Sequence, residues 1–417
     1  MSRTSESQPS SYAWRNRHAI LAVLFATYLL CYVDRMAIAT AIPFIAKDFG
    51  LSPLGMGGVL SAFFLGYALM QLPGGILADR FGPRRVMTAS IVGWSLFTVL
   101  TGAATSLSAL LAIRVLFGLS EGSFPPSASK AIALKFPQEK VGRANGFQLS
   151  AVQLGAAVAP LCVSWGIAHW GWRVVFYSLL GPGLIMASLV WISVRDPTGP
   201  IENLSHPTER PVVPVREVLM MPAVTWCAVA VFFWSTAAWG LMNWLPTYLL
   251  QARGFSLSQM GLWGSLPYLA GAAGYYLGGY FVDCYFNTRR YVPIVAGLLG
   301  GGAMTYLAAA ASTGGWSIVA LILSFLFVFI SAGGIFTMPL VIVPRHAVGA
   351  AFGFINTAAQ VAAFLSPLAV GYFLNATHGD FTELLYGFVG LFVVAAAAAL
   401  KIRSRPSMER AIPRATL

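Results

Sequence analysis

Long apolar blocks alternate with short polar or glycine-rich segments along the whole chain. Twelve apolar stretches of about 18 to 28 residues occur in this pattern. A helix rises about 1.5 Å per residue, so each stretch is long enough to cross a hydrocarbon core of roughly 30 Å. The pattern therefore predicts twelve transmembrane helices, at 19–43, 56–78, 86–104, 107–129, 144–168, 173–194, 223–250, 258–282, 291–311, 316–343, 348–373 and 382–401.

One long polar segment interrupts the series, between the sixth and seventh predicted spans. Residues 195–222 are rich in proline and carry mixed charge, which favours a loop over a helix. We therefore expect two six-helix bundles, at 19–194 and 223–401, joined by this segment as a cytoplasmic linker. Residues 1–18 and 402–417 are expected to form cytoplasmic tails.

The two halves of the chain carry the same residue types at matching positions. Three residues of the second span recur 204 positions later, and three residues of the fifth span recur 207 positions later. The matched pairs are Met56 and Met260, Ser61 and Ser265, Asp79 and Asp283, Gly146 and Gly353, Gln153 and Gln360, and Pro160 and Pro367. This register predicts a duplicated six-helix unit with parallel copies, so the fold expected is an all-α membrane protein. A parallel duplication also predicts a substrate site between the bundles, as is typical of transporters.

Composition agrees with a membrane protein. The chain is 57% hydrophobic and only 10% charged, whereas soluble domains carry roughly a quarter charged residues. The net charge of +12 would suggest nucleic-acid binding in a soluble protein, but the basic residues lie between apolar runs. About 21 of the 26 lysines and arginines fall in segments on the same side as the N-terminus. We therefore expect no nucleic-acid partner, and a plasma or bacterial inner membrane protein with both termini in the cytoplasm.

Nothing in the sequence indicates a metal site, a cofactor or an enzyme. The four cysteines lie within apolar runs or at their ends, and the five histidines are scattered. Their spacing matches no metal-ligand motif. No combination of nucleophile and base is visible either.

Four charged residues lie well inside predicted spans, and they are the strongest functional signal in the chain. They are Asp34, Arg35, Arg114 and Glu121. An unpaired charge at this depth costs a few kcal/mol, so two acids and two bases suggest a buried network that nearly neutralises itself. Arg114 and Glu121 are seven residues apart, which places them on one helix face.

The glycines beside Glu121 also allow a close neighbour. For Gly118 and Gly122 we expect that neighbour to be the first span.

The charged cluster has two interpretations. It could only hold the first and fourth spans together, or it could load and release protons as conformational change alters its surroundings. In the functional interpretation, Glu121 is the first candidate proton site and Asp34 the second. Arg35 is the candidate anchor for a substrate anion, because a guanidinium pairs with a carboxylate through two bonds. Arg114 would then pair with Asp34 and control its protonation, although the two arginines could exchange roles.

Further polar and aromatic residues are weaker candidates for substrate contact. Gln153 and Gln360 occupy equivalent places in the two halves, and Asn356 lies one turn before Gln360. Asn243 and Trp239 lie in the seventh span. Hydrogen bonding between helices would explain the amides equally well, and an interfacial position would explain the tryptophan.

The loop between the second and third spans combines glycines, an aspartate and arginines, namely Gly75, Asp79, Arg80, Gly82, Arg84 and Arg85. This pattern resembles the signature loop of the major facilitator superfamily, although Pro83 departs from the usual basic residue. A degraded second copy runs from Gly279 to Asp283. We expect Gly75 to permit close helix packing, Asp79 to cap a neighbouring helix end, and the loop as a whole to serve gating and topology.

Within that superfamily the chain resembles the anion:cation symporters. The matching segments are 32–35, 114–122, 125–126 and 136–144. The resemblance implies symport of sugar acids, aromatic carboxylates or related anions with protons. It also implies proton-linked roles for Asp34 and Glu121, with Arg35 and Tyr67 lining the substrate site.

The sequence as a whole predicts a secondary transporter that imports a small organic anion with protons by alternating access. A monomer is expected to suffice, with no partner beyond the anion, protons and the lipid bilayer. One alternative is a proton-coupled exporter of drugs or metabolites with the same fold. Another is a membrane sensor that binds its ligand without transport, although the short predicted tails leave little room for an output domain. The tryptophans favour an aromatic acid and the paired amides a polyhydroxy acid.

Overall fold

The chain folds almost entirely into α-helices. The computed structural model describes residues 11–195, 220–286, 289–338, 343 and 348–402, and no strand occurs among them. The helices are α1 (Ser11–Phe49), α2 (Pro53–Phe81), α3 (Pro83–Ala103), α4 (Leu107–Gly122), α5 (Phe124–Lys135), α6 (Gln138–Ser178), α7 (Leu180–Ser193), α8 (Pro222–Thr247), α9 (Leu257–Cys284), α10 (Tyr291–Ala310), α11 (Gly314–Ile335), α12 (Val348–Ala376) and α13 (Phe381–Leu400). A π-helical turn at Tyr248–Ala252 extends α8.

The fourth predicted span is interrupted, which the sequence pattern did not predict. α4 ends at Gly122, and α5 begins at Phe124 with prolines in its first turn. Pro125 and Pro126 have no N–H, so the carbonyl groups of Glu121 and Gly122 lose their usual helical donors. The interruption therefore comes directly after the buried Glu121.

The fifth and sixth predicted spans meet at a glycine within α6. Gly171 has φ 78° and ψ 162°, a left-handed backbone conformation outside the helical region. Ten stretches of the described residues are long and apolar enough to cross a membrane, and one of them, Arg143–Ser193, covers both of these predicted spans except for residue 194. α9 corresponds to the eighth predicted span and starts 204 positions after α2, as the repeat predicts. The predicted all-α membrane fold with two six-helix halves is confirmed.

Short polar residues begin several helices by accepting hydrogen bonds from otherwise unpaired backbone N–H groups. The Ser106 hydroxyl accepts from the Ala109 N–H at 3.2 Å. At the start of α9, Ser256 and Gln259 form a reciprocal pair, in which each side chain accepts from the backbone of the other. Local sequence therefore sets where these helices begin.

The helices group into two compact units. Unit 1 comprises Met1–Leu51 and Ala62–Leu204, and unit 2 comprises Ser52–Ser61 and Ser205–Leu417. The first turns of α2 thus group with unit 2, where Gly57 packs tightly against the backbone of α12 at Pro367 and Gly371. Most of the predicted linker 195–222 lies outside the described residues.

Glycine allows α2 and α4 to approach closely inside unit 1. A Cβ atom at Gly118 would collide with the carbonyl oxygen of Phe63, and one at Gly122 would lie 2.6 Å from the carbonyl oxygen of Tyr67. The close neighbour of these glycines is therefore α2, and the expected contact with the first span is wrong. A pair of glycines fits against any backbone, so the sequence could not specify which helix it meets.

Candidate functional site

Four buried charged residues of unit 1 lie on the middle of α1 and on one face of α4, while Arg17, also buried, lies near the start of α1. Asp34 and Arg35 are 1% and 4% exposed, and Arg114 and Glu121 are 1% and 0% exposed. The buried face of α4 also includes Leu110, Phe117 and the two glycines, as the seven-residue spacing predicts. All four charges are thus withdrawn from solvent in the same unit.

Arg35 and Glu121 form a buried ion pair across α1 and α4. The Arg35 Nε donates to Glu121 Oε1 at 3.1 Å, and its Nη2 donates to the same oxygen. Its Nη1 donates to the Tyr32 hydroxyl at 3.1 Å. The other carboxylate oxygen of Glu121, Oε2, accepts no hydrogen bond from the residues that the structure describes. Three nitrogen atoms of Arg35 therefore donate hydrogen bonds, while one carboxylate oxygen of Glu121 accepts none from the described residues.

Aromatic rings surround the Arg35 guanidinium. Its Cζ lies 4.5 Å from the ring centre of Tyr32 and 4.6 Å from those of Phe63 and Tyr67. Electron-rich ring faces attract a cation, and they also exclude water from it. This places Tyr67, which the family resemblance implicated, against the candidate anion anchor. Exclusion of water strengthens the attraction between Arg35 and any carboxylate that reaches it.

Asp34 is buried without a hydrogen bond. Neither of its carboxylate oxygens accepts one from the described residues. The indole N–H of Trp94 and the guanidinium of Arg114 lie close enough to attract its negative charge. Arg114 forms no hydrogen bond in the described part of the chain and packs against the rings of Phe117 and Phe63, at 4.6 and 5.4 Å. Asp34 and Arg114 therefore interact by charge alone, whereas Arg35 and Glu121 are bonded directly.

Three members of this cluster have no signal in the sequence that separates them from ordinary packing residues. The Cys31 thiol contacts Glu121, Phe63 stacks on Arg35, and Trp94 approaches Asp34. Helical spacing offers a partial signal, because Cys31 and Tyr32 lie one turn before Arg35, and Phe63 lies one turn before Tyr67.

The remaining substrate candidates differ in how far their polar groups are already used. Gln153 of unit 1 is 7% exposed, and its Oε1 has no hydrogen-bond partner within the described part of the chain. In unit 2, the Asn243 Nδ2 donates to the Trp239 carbonyl oxygen of the same helix at 2.8 Å. Asn356 and Gln360 are half-buried on α12. Gln153 thus has an unused acceptor, whereas the Asn243 amide is partly satisfied locally.

The loop between α2 and α3 is organised by one ion pair and one glycine. The Lys130 Nζ donates to Asp79 Oδ1 at 2.7 Å and to the Ala78 carbonyl oxygen at 3.0 Å. Asp79 therefore pairs with Lys130 of α5. Gly82 precedes α3 with φ 84°, a left-handed conformation that favours glycine.

Other residues of this loop pack against aromatic rings. The Arg84 Cζ lies 3.8 Å from the ring centre of Trp191 on α7, and the Arg80 Cζ lies 5.3 Å from that of Phe81. The close packing expected at Gly75 occurs at Gly74 instead, where a Cβ atom would lie 2.5 Å from the Ser123 Cα. Gly75 has only an ordinary contact, because its helical direction differs by about 100°. The side chain of Asp283 lies outside the described residues.

Comparison with known proteins places this arrangement among membrane transporters. A probable sulfoacetate transporter of Cupriavidus necator is 34% identical over 388 residues, which cover 87% of this chain and 88% of that protein. The hexuronate transporter of Bacillus subtilis is 27% identical over 402 residues, covering 93% and 94%. A bacterial homologue of the human lysosomal transporter Spinster, in an inward-facing and unoccupied conformation, superposes with a TM-score of 0.80. It shares 20% identity and covers 95% of this chain and 98% of its own, so its likeness concerns the fold alone.

The family model agrees with the predicted signature loop and with the fold. The model described as Major Facilitator Superfamily matches residues 24–367, a range that includes most of both halves together with Asp34, Arg35, Arg114 and Glu121. The chain is thus a membrane transporter and not an enzyme, and it belongs to the Major Facilitator Superfamily.

Proposed function

We propose that this transporter imports a small organic anion together with protons by alternating access. The observation that carries the proposal is the bonding of Arg35. Its Nε and Nη2 atoms, which would bind a substrate carboxylate, are both held by Glu121. A proton on Glu121 would remove the charge that holds Arg35, and the guanidinium would then be free for another anion.

This exchange links proton binding to anion binding. Burial makes an unpaired ion unfavourable, so Arg35 requires one anionic partner at all times. When Glu121 is ionised it supplies that partner, and a substrate carboxylate must displace it. When Glu121 is protonated, the substrate becomes the partner. The protonated carrier therefore binds the anion more tightly, which is the requirement for symport.

Asp34 is the proposed second proton site. It is buried, its oxygens accept no hydrogen bond from the described residues, and the charge of Arg114 acts on it. A carboxyl group in this position gains little from hydrogen bonding when ionised, so a small movement of Arg114 changes which form is favoured. Arg114 would then control the protonation of Asp34.

The substrate class rests on the relatives and on the anchor. Relatives over nearly the whole length are described as carriers of sulfoacetate and hexuronate, which are small hydrophilic acids. An arginine in an aromatic cage suits a carboxylate or sulfonate head group. We propose Gln153, Asn243, Asn356, Gln360 and Trp239 as contacts for the rest of the molecule, with Gln153 the strongest because its acceptor is unused.

Proteoliposomes that contain a pH dye would test the proposal. They would be challenged with sulfoacetate, sugar acids and aromatic carboxylates, and Glu121→Gln and Asp34→Asn would be compared with the parent protein. Symport predicts that one class of acid acidifies the interior, and that both variants lose this response. Exchange of labelled substrate across vesicles without a gradient would be measured in parallel.

Each alternative outcome has a distinct meaning. Exchange of labelled substrate without acidification would show that transport is not coupled to protons. Alkalinisation on addition of substrate would indicate a proton-coupled exporter. Full acidification by both variants would reduce Glu121 and Asp34 to structural charges. Retained acidification in potassium solutions that lack sodium would separate protons from sodium as the coupling ion.

A further inference from the structure

A recess in unit 1 is lined by residues outside the charged cluster. It is an open groove of about 390 Å³ formed by the end of α2, the start of α3 and the last turns of α4. Its apolar walls include Met70, Leu77, Phe81, Val86 and Ala89. None of the four buried charged residues contributes to it. We refer to it as the α2–α3–α4 groove.

The serines of this groove offer no free donor to a polar ligand. The Ser90 hydroxyl donates to the Ser120 carbonyl oxygen at 2.5 Å, and the Ser123 hydroxyl donates to the same oxygen at 3.3 Å. The Ser120 hydroxyl donates to the Leu116 carbonyl oxygen at 3.0 Å. All three hydroxyl protons are therefore engaged inside the protein. The groove suits a hydrocarbon chain and does not suit a sugar acid.

One end of the groove is positively charged. Arg85 lies on its wall, is exposed, and forms neither a hydrogen bond nor an ion pair among the described residues. Arg80 in the last turn of α2 and Arg84 in the first turn of α3 lie near the same end. α3 begins there at Pro83 without a side-chain cap, so its first N–H groups add partial positive charge. Charge at one end and apolar walls along the rest match an amphiphile with an anionic head.

We propose that the α2–α3–α4 groove binds one anionic phospholipid, with an acyl chain along its apolar walls and the phosphate beside Arg85. The volume lies within the range of about 300 to 1,000 Å³ that is usual for a small-molecule pocket. The distribution of lysine and arginine assigns this end of the helices to the cytoplasmic side, where basic segments attract anionic lipid head groups. The lipid would thus come from the cytoplasmic leaflet.

Native mass spectrometry of the delipidated, purified full-length chain would test this inference. Phosphatidylglycerol and phosphatidylcholine with identical acyl chains would be titrated separately, and the first bound molecule would be quantified. Arg85→Gln removes the charge at the mouth, and Ala89→Phe fills the groove without changing charge. Two matched controls lie outside the groove, namely Val92→Phe one turn further along α3 and Arg195→Gln after α7. Thermal unfolding would establish that each variant is folded.

The proposal predicts a different result for each variant. The parent should bind the first phosphatidylglycerol about fivefold more tightly than phosphatidylcholine, the usual effect of one basic residue near a head group. Arg85→Gln should abolish that preference, and Ala89→Phe should weaken the binding of both lipids. Both control variants should behave as the parent does.

Several results would overturn the proposal. Equal affinity of the parent for the two lipids would show that the groove does not select an anionic head group. Parent-like lipid binding by folded Ala89→Phe would show that the lipid binds elsewhere. If Ala89→Phe instead stopped substrate exchange in every lipid while leaving lipid binding intact, the groove would be a surface for movement of the protein itself.

Discussion

Arg35 is stabilised by three kinds of group at once: a carboxylate, a phenol and three aromatic faces. A guanidinium can use all of them because it is flat, presents donors on its edge and offers its faces to rings. Lysine offers neither a pair of adjacent N–H donors in one plane nor a flat surface for aromatic rings. The geometry therefore depends on arginine itself and not only on a positive charge at this position.

Arg35→Lys should retain the charge but lose transport. An ammonium group cannot reproduce the paired donation from Nε and Nη2, so we expect initial uptake to fall by at least about tenfold, equivalent to roughly 1.4 kcal/mol. Uptake of labelled substrate into proteoliposomes would measure it. Arg173→Lys is the control, because Arg173 pairs with Asp48 at exposed positions, where such a pair contributes little. Equal uptake by Arg35→Lys and the parent would contradict the anchor role.

The two carboxylates should differ in stability tests, independently of transport. Glu121→Gln leaves Arg35 buried without its anion, and breaking a buried pair costs about 3 to 5 kcal/mol. Asp34→Asn removes a carboxylate that accepts no hydrogen bond among the described residues, so we expect a smaller loss of stability than for Glu121→Gln. Thermal unfolding in detergent would compare them. A larger loss for Asp34→Asn than for Glu121→Gln would contradict the bonding described above.

The sequence identified the charged residues of the site but not their pairing. Charge inside an apolar span is conspicuous, so Asp34, Arg35, Arg114 and Glu121 could be found directly. Which arginine meets which acid depends on helix rotation and side-chain rotamers, and the pattern left both choices open. Phe63 and Trp94 could not be found, because an aromatic residue in an apolar span looks the same whether it meets lipid, protein or a guanidinium.

At the scale of helices, the site depends on close contact between α2 and α4. Gly66, Gly118 and Gly122 each present a position where a Cβ atom would collide with the backbone of the other helix. This contact holds Phe63 and Tyr67 near Arg35, because both rings project from the same stretch of α2. The interruption after Gly122 then ends α4 immediately beyond Glu121.

Gly118→Val should separate these helices and lose transport together with stability. The added side chain meets the Phe63 carbonyl oxygen, and overpacking of this kind costs about 1 to 3 kcal/mol. We expect a lower unfolding temperature and weaker substrate uptake. Gly146→Ala is the matched control, because no atom lies within 4 Å of a Cβ atom there. If both variants unfolded at the parent's temperature, the packing at Gly118 would be looser than described.

Span length and internal repetition predicted most of the helices, and the exceptions have local causes. The interruption of the fourth span comes from Pro125 and Pro126, which an average of hydropathy does not register. The turn between the fifth and sixth spans depends on the left-handed backbone of Gly171. The chain has 42 glycines, and the sequence does not show which of them adopts this conformation. The partner of Gly118 was predicted wrongly, because small residues specify a close approach without specifying the neighbour.

At the scale of the whole molecule, the number of protons per anion decides whether transport carries charge. The two candidate proton sites suggest two protons for each substrate. A monoanion that enters with two protons moves one positive charge inward, and a potential of 100 mV then contributes about 2.3 kcal/mol. A dianion that enters with two protons moves no net charge.

Substrate charge should therefore determine the response to membrane potential. Vesicles with an imposed potassium gradient and valinomycin, negative inside and without a pH gradient, should accumulate a monoanionic sugar acid about 50-fold per 100 mV at equilibrium. A dianionic sugar acid should respond to a pH gradient but not to potential. Asp34→Asn lacks one of the two proposed proton sites, so this variant should lose the response to both gradients, as it should lose acidification. Exclusion of a transported monoanion by a negative interior in the parent would contradict the two-proton mechanism, because uncoupled anions are driven outward by that potential.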